Sequence, residues 1–89
     1  MIVRIAGEGR WRVPDGRSRE LLREDFLLTR AVHDEREVDY RQQLLAICRY
    51  VRRHGQRLAP SAHDADLTIP SPEMTLAETA DLLSEHAGL

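Results

Sequence analysis

One segment of the chain leaves little choice of structure. Between Glu37 and Gly55, apolar side chains recur at Tyr40, Leu44, Ile47, Cys48 and Val51, spaced i, i+4, i+7, i+8 and i+11. That spacing lines five side chains along one face of an α-helix. It predicts a helix over about 37–54, with Gly55 as the C′ residue just past its end. The rest of the fold has to supply an apolar surface for this stripe.

The N-terminus follows a different period. Ile2–Ala6 is rich in β-branched residues, Gly7-Glu8-Gly9 follows, and Arg10–Val13 alternates strictly. Two short β-prone segments around such a link predict a hairpin over about 2–13. Val3, Ile5, Trp11 and Val13 would face the core, and Arg4, Arg10 and Arg12 the solvent. Ile2 falls out of phase with the inner set and is expected at an edge. A lone hairpin is marginal in water, so this one must pack on helices.

Between hairpin and stripe, a helix is expected over about 18–33, with Ser18 as N-cap or Asp15 as the earlier alternative. Leu21, Leu28 and Val32 form its stripe, and Leu22 with Phe26 widens it. Asp34–Glu37 is a charged joint short enough to make the two helices an antiparallel pair. Residues 56–66 read as a linker, with Leu67-Thr68-Ile69 as a short third strand stopped by Pro70. Thr75 with Glu78 three positions on is a capping box opening a helix over about 76–85. Leu76, Thr79, Ala80, Leu82 and Leu83 would line its buried side; Ala77, Asp81 and Glu85 would face out. The fold class is therefore α+β, one domain over residues 1–89: a hairpin packed on a helix pair, a short third strand and a C-terminal helix.

Chemistry is sparse in this sequence. The four histidines, His33, His54, His63 and His86, lie far apart, and none has a metal-ligand spacing to Cys48 or to another histidine. His63 with Asp64 and Asp66 makes a weak site at best. Cys48 lies on the apolar stripe and reads as a small buried hydrophobe, and as the only cysteine it excludes an internal disulfide. Gly7-Glu8-Gly9 lacks the third glycine and the following helix of a phosphate loop. No cofactor, metal or catalytic set is expected, and an enzyme is not. No apolar run reaches the ~20 residues of a membrane helix, and the N-terminus has no long h-region. A cytoplasmic protein is expected, at the membrane only through a partner.

Charge is the remaining signal. All 13 basic residues are arginines within positions 1–57, where nine carboxylates leave +4; residues 58–89 hold six carboxylates and no arginine or lysine. Such polarity points to electrostatic contact with a partner, or between the two parts. Arg49, Arg52, Arg53 and Arg57, with His54, form the densest basic patch. Positions 49, 53 and 57 share a helix face if the helix extends that far. The patch reads as a solvated face at a helix C-terminus, a protein-facing surface or, as an alternative, a contact with nucleic acid or anionic lipid. Trp11 is either a core aromatic over the helical layer or an interface anchor. Leu22, Phe26, Leu27 and Leu45 are spare apolar side chains that suit a homodimer.

In order, Ile2 to Ile5, Gly7 to Gly9, Trp11 and Val13, the Asp34–Glu37 joint, Val51-Arg52-Arg53-His54-Gly55, Asp66–Pro70 and Thr75-Leu76-Ala77-Glu78 before Leu82-Leu83 resemble the PspA-associated family, PspAA. The resemblance spans essentially the whole chain; Arg17 and Arg19 depart from its more acidic approach to the first helix. It implies a non-enzymatic accessory of an envelope-stress (phage-shock) response whose partner is a coiled-coil, PspA-like protein. It offers no catalytic residue to carry over. The expected partner-binding residues are Arg49, Arg52, Arg53, Arg57 and Trp11.

Overall fold

The structure, a computed structural model, describes residues 1–60 and 64–87, with side chains described to residue 82. Ile2–Ile5 (β1) and Gly9–Arg12 (β2) form the hairpin, followed by Ser18–His33 (α1), Glu37–His54 (α2), Gln56–Arg57 (β3), Leu67–Ile69 (β4) and Leu76–Ala87 (α3). The sheet has the order β3-β2-β1-β4. β1 and β2 are antiparallel, β3 is antiparallel to β2, and β4 is parallel to β1. Gly7 (φ 80°) supplies the positive φ that the hairpin turn closed by Glu8 N–H on Ile5 O requires.

One face of this sheet is the floor of the core. Val3, Ile5, Trp11, Val13 and Ile69 are buried there against Leu21, Leu28, Ala31 and Val32 of α1 and Tyr40, Leu44, Ile47, Cys48 and Val51 of α2. The α2 stripe is buried in full. The α1 stripe is narrower than its sequence suggests. Leu22 and Phe26 are 48% and 58% exposed, because they lie on the flank of α1 away from the sheet, and Ala31 takes the place beside Val32.

Local structure departs from the sequence pattern in three further places, each for a physical reason. Ser18 is the first residue of α1 and not its N-cap. A 3-10 turn over Asp15–Arg17 leads straight into the helix, so Ser18 already has helical φ/ψ and no side chain caps the end. Asp15 instead pairs with the amino group of Met1 at 3.0 Å. Gly55 is extended (φ −91°, ψ 156°) and not left-handed. Its lack of a side chain matters because a Cβ there would sit 2.6 Å from Val51 O and 3.0 Å from Trp11 Cβ. The expected linker 56–66 contains β3 at its start, a two-residue strand of exposed side chains whose backbone pairs with Trp11 and Arg12. The expected third strand is β4, and its parallel pairing puts Ile69 beside Ile5 in the core.

The joint between α1 and α2 is a helix-terminating motif. Arg36 N–H reaches Ala31 O and Glu35 N–H reaches Val32 O, with Glu35 at φ 55°. This is the Schellman pattern with glutamate at the position that glycine usually fills. The capping box forms as expected: Glu78 N–H donates to Thr75 Oγ1 (3.1 Å) and Thr75 N–H to Glu78 Oε1 (3.3 Å). On α3, Leu76, Thr79, Ala80 and Leu82 are turned inward to differing degrees, while Ala77 and Asp81 are exposed. Leu83 and Glu85 fall outside the described side chains.

Candidate partner-binding surface

The C-terminal end of α2 collects charge for a reason intrinsic to helices. Arg52, Arg53 and His54 occupy the last turn, where the unpaired carbonyls favour cations. The hairpin turn comes up against this end and sorts the arginines into two classes. Arg52 forks onto the Glu8 carboxylate, with Nη2 2.6 Å from both oxygens and Nε 3.2 Å from one. That hydrogen bond, with the Glu8 charge, pushes the Arg52 pKa further up. Arg57 donates from Nη2 to Glu8 O at 2.7 Å, and its guanidinium lies 5.3 Å from the centre of the Trp11 ring. Trp11 is only 6% exposed.

Arg49 and Arg53 remain. Both are exposed, and among the described residues neither takes part in an ion pair or a side-chain hydrogen bond. Since α2 ends at His54, Arg57 belongs to β3 and does not continue the helix face of Arg49 and Arg53. Of the five residues expected to meet a partner, the four arginines are exposed and Trp11 is buried; of the arginines, Arg49 and Arg53 alone carry no ion pair or side-chain hydrogen bond among the described residues. The other three form one cluster around Glu8.

Glu8 has no local signal in the sequence. It lies between two glycines, 44 positions from Arg52, and only the folded hairpin brings the two together. Val38, 70% exposed on α2, is a further apolar side chain that the periodicity does not single out; Leu27 and Leu45 are 43% and 45% exposed. A cleft of about 400 Å³ opens between α1, β4 and α3, lined by Leu28, Val32, Ile69, Met74 and Leu82. Asp25 lies on its rim, and burial raises its carboxyl above the ordinary carboxylate range.

Nothing in the described part of the molecule is arranged for bond-making. Burial pushes the Cys48 thiol up to about 11, far from a reactive thiolate. The Asp34 carboxyl is held below its ordinary value by the hydrogen bond with His33, aided by Arg30 and Arg36, which is an exposed ion-pair cluster. Burial and the hydrogen bond to Glu20 raise the Tyr50 phenol. No group of three or more potential metal ligands occurs among the described residues; His63 lies outside them. No described helix is long and apolar enough to cross a membrane.

Neither a curated protein sequence nor a solved structure matches the chain. The sequence model of the PspA-associated proteins, PspAA, matches residues 1–89, and the chain belongs to this family of non-enzymatic accessories linked to PspA-like stress proteins.

Proposed function

We propose that the chain is a protein-interaction module that docks on a coiled-coil, PspA-like partner through the exposed arginines at the end of α2. The observation that carries this reading is the sorting of the patch: Glu8 engages Arg52 and Arg57, whereas Arg49 and Arg53, one helical turn apart, are exposed with no ion pair or side-chain hydrogen bond among the described residues. Side chains four apart on a helix share a face, so an acidic stripe on a partner helix can meet both. Two exposed guanidiniums give salt-sensitive affinity, with electrostatic steering of the encounter. The expected location is the cytoplasm, at the membrane only through the partner.

Pull-down of the PspA-like protein by the full chain tests the surface. Binding at low salt should fall as salt rises, and Arg49→Glu with Arg53→Glu should abolish it while leaving the circular dichroism spectrum unchanged. Retention of binding by the folded double variant at low salt overturns the assignment.

Self-association is a second reading, favoured by the exposure of Leu22, Phe26, Leu27, Val38 and Leu45. Phe26 and Leu22 sit one turn apart on α1, which suits burial against a second copy. Light scattering at high concentration should then report a dimer, and a monomer rejects this reading.

A further inference from the structure

The face of the sheet turned away from the helices carries a charge pattern that folding alone does not favour. Register fixes it residue by residue. Arg4 lies directly opposite Arg10 across β1 and β2, and Arg12 follows Arg10 on the same face, opposite Ile2. Directly opposed side chains of an antiparallel pair have Cβ atoms about 5 Å apart, and like charges there oppose pairing. Thr68 flanks Arg4 on β4, and Gln56 flanks Arg12 on β3.

No carboxylate relieves this arrangement among the described residues. Arg4, Arg10 and Arg12 take part in none of their ion pairs. Arg4 also lines the cleft that holds Asp25 but makes no ion pair with it, and Oδ2 of Asp66 is taken by Ile2 N–H at 2.7 Å. The Nε of Arg10 is shielded from solvent and has no hydrogen-bond partner. A desolvated donor without an acceptor is a cost that an added acceptor would remove. The contrast with Glu8, which satisfies Arg52 and Arg57, sharpens the point.

We propose that Arg4, Arg10 and Arg12 form an oxyanion-binding face whose ligand is a phosphate group. Three guanidinium forks on one face of the sheet suit a ligand with several acceptor oxygens and more than one negative charge. A single carboxylate satisfies one fork and leaves the others repelling. The face lies on the sheet and not on the end of α2, so it is separate from the partner contact proposed above.

The phosphate can belong to a soluble ion or to a lipid headgroup, and two arms separate these. In the first, thermal unfolding of the full chain is followed in 10 mM inorganic pyrophosphate and in sodium chloride of equal ionic strength. Pyrophosphate should raise Tm by about 7 °C over the chloride control, as expected when ligand is about tenfold above Kd. In the second, the chain is floated with vesicles of phosphatidylglycerol or of phosphatidylcholine. Capture by the former alone assigns a lipid headgroup; a pyrophosphate shift without capture assigns a soluble ligand.

The variant Arg4→Thr, Arg10→Thr, Arg12→Thr should lose both responses. Without ligand it should melt no lower than the parent, because repulsion is removed and threonine favours strands. The pair Arg10→Thr, Arg12→Thr serves where the triple variant does not fold. Arg49→Glu with Arg53→Glu should keep the pyrophosphate shift. A shift equal to that in chloride, a shift retained by the folded threonine variants, or no response in either arm overturns the proposal.

Discussion

The two ends of α2 are fastened to distant parts of the chain by opposite means. At the N-terminal end Tyr40 is fully buried; its hydroxyl donates to Met74 O at 2.9 Å and lies 2.6 Å from Thr79 Oγ1. Arg41 next to it donates to the carbonyls of Pro72 and Met74. At the C-terminal end the tie is the Arg52–Glu8 ion pair, with side chains 45% and 31% exposed. The first seam is a desolvated hydrogen-bond network that specifies where α3 sits. The second is a surface pair that organises charge. Buried polar groups are costly to orphan, whereas exposed pairs contribute little net stability. The first end should therefore govern stability, and the second should govern which arginines face a partner.

The largest effect expected of this contrast is at Tyr40. Tyr40→Ala removes a fully buried aromatic and should cost about 3–5 kcal/mol by urea denaturation. Tyr40→Phe keeps the ring and isolates the hydroxyl of Thr79, which is 2% exposed, so it should cost about 1–3 kcal/mol. The double variant Tyr40→Phe, Thr79→Val should recover part of that loss. A cost below about 0.5 kcal/mol for Tyr40→Phe would show that α3 is not anchored here.

Gly55 comes next, and it carries the packing component of the second seam. Gly55→Ala puts a Cβ 2.6 Å from the carbonyl oxygen of Val51, with Trp11 and Val13 closing the other sides. Backbone has to move, and overpacking of this kind costs about 1–3 kcal/mol. The reduced entropy of the unfolded chain offsets less than about 1 kcal/mol of that. Chemical denaturation should show a lowered midpoint with an unchanged slope. A neutral result would mean that the end of α2 yields easily against the sheet.

Much of this division was legible in the sequence, and the illegible part has a common cause. The five-residue stripe of α2, the inward set Val3, Ile5, Trp11 and Val13, and the Thr75–Glu78 box are local patterns, read from spacing alone. β3 is exposed on both side chains and exists only because β2 offers it a backbone partner, so no side-chain pattern marks it. Glu35 holds a left-handed conformation that its residue type does not announce. The candidate surface shows the same limit. Arg49, Arg52, Arg53 and Arg57 are equivalent in sequence, and which of them are bonded within the described residues depends on Glu8, 44 residues before Arg52. Phe26 and Leu22 carry the right period for burial yet face outward, because the width of the apolar face is set by how α2 and the sheet flank α1.

The smallest stability change is expected where the effect on binding should be large. Glu8→Gln keeps the size of the side chain and removes its charge, so Arg52 loses its ion pair while Arg57 keeps its bond to the backbone carbonyl of residue 8. An exposed pair of this kind contributes at most about 1 kcal/mol, and high salt should shrink even that difference. Releasing Arg52, already 45% exposed, adds a guanidinium without a carboxylate partner beside Arg49 and Arg53. If an acidic partner docks on this end, Glu8→Gln should strengthen low-salt binding several-fold and steepen its salt dependence, a change opposite in sign to that of Arg49→Glu with Arg53→Glu. Weaker binding by Glu8→Gln, measured by titration calorimetry against the PspA-like partner, would place Glu8 itself in the contact and reverse the roles assigned to the two arginine pairs.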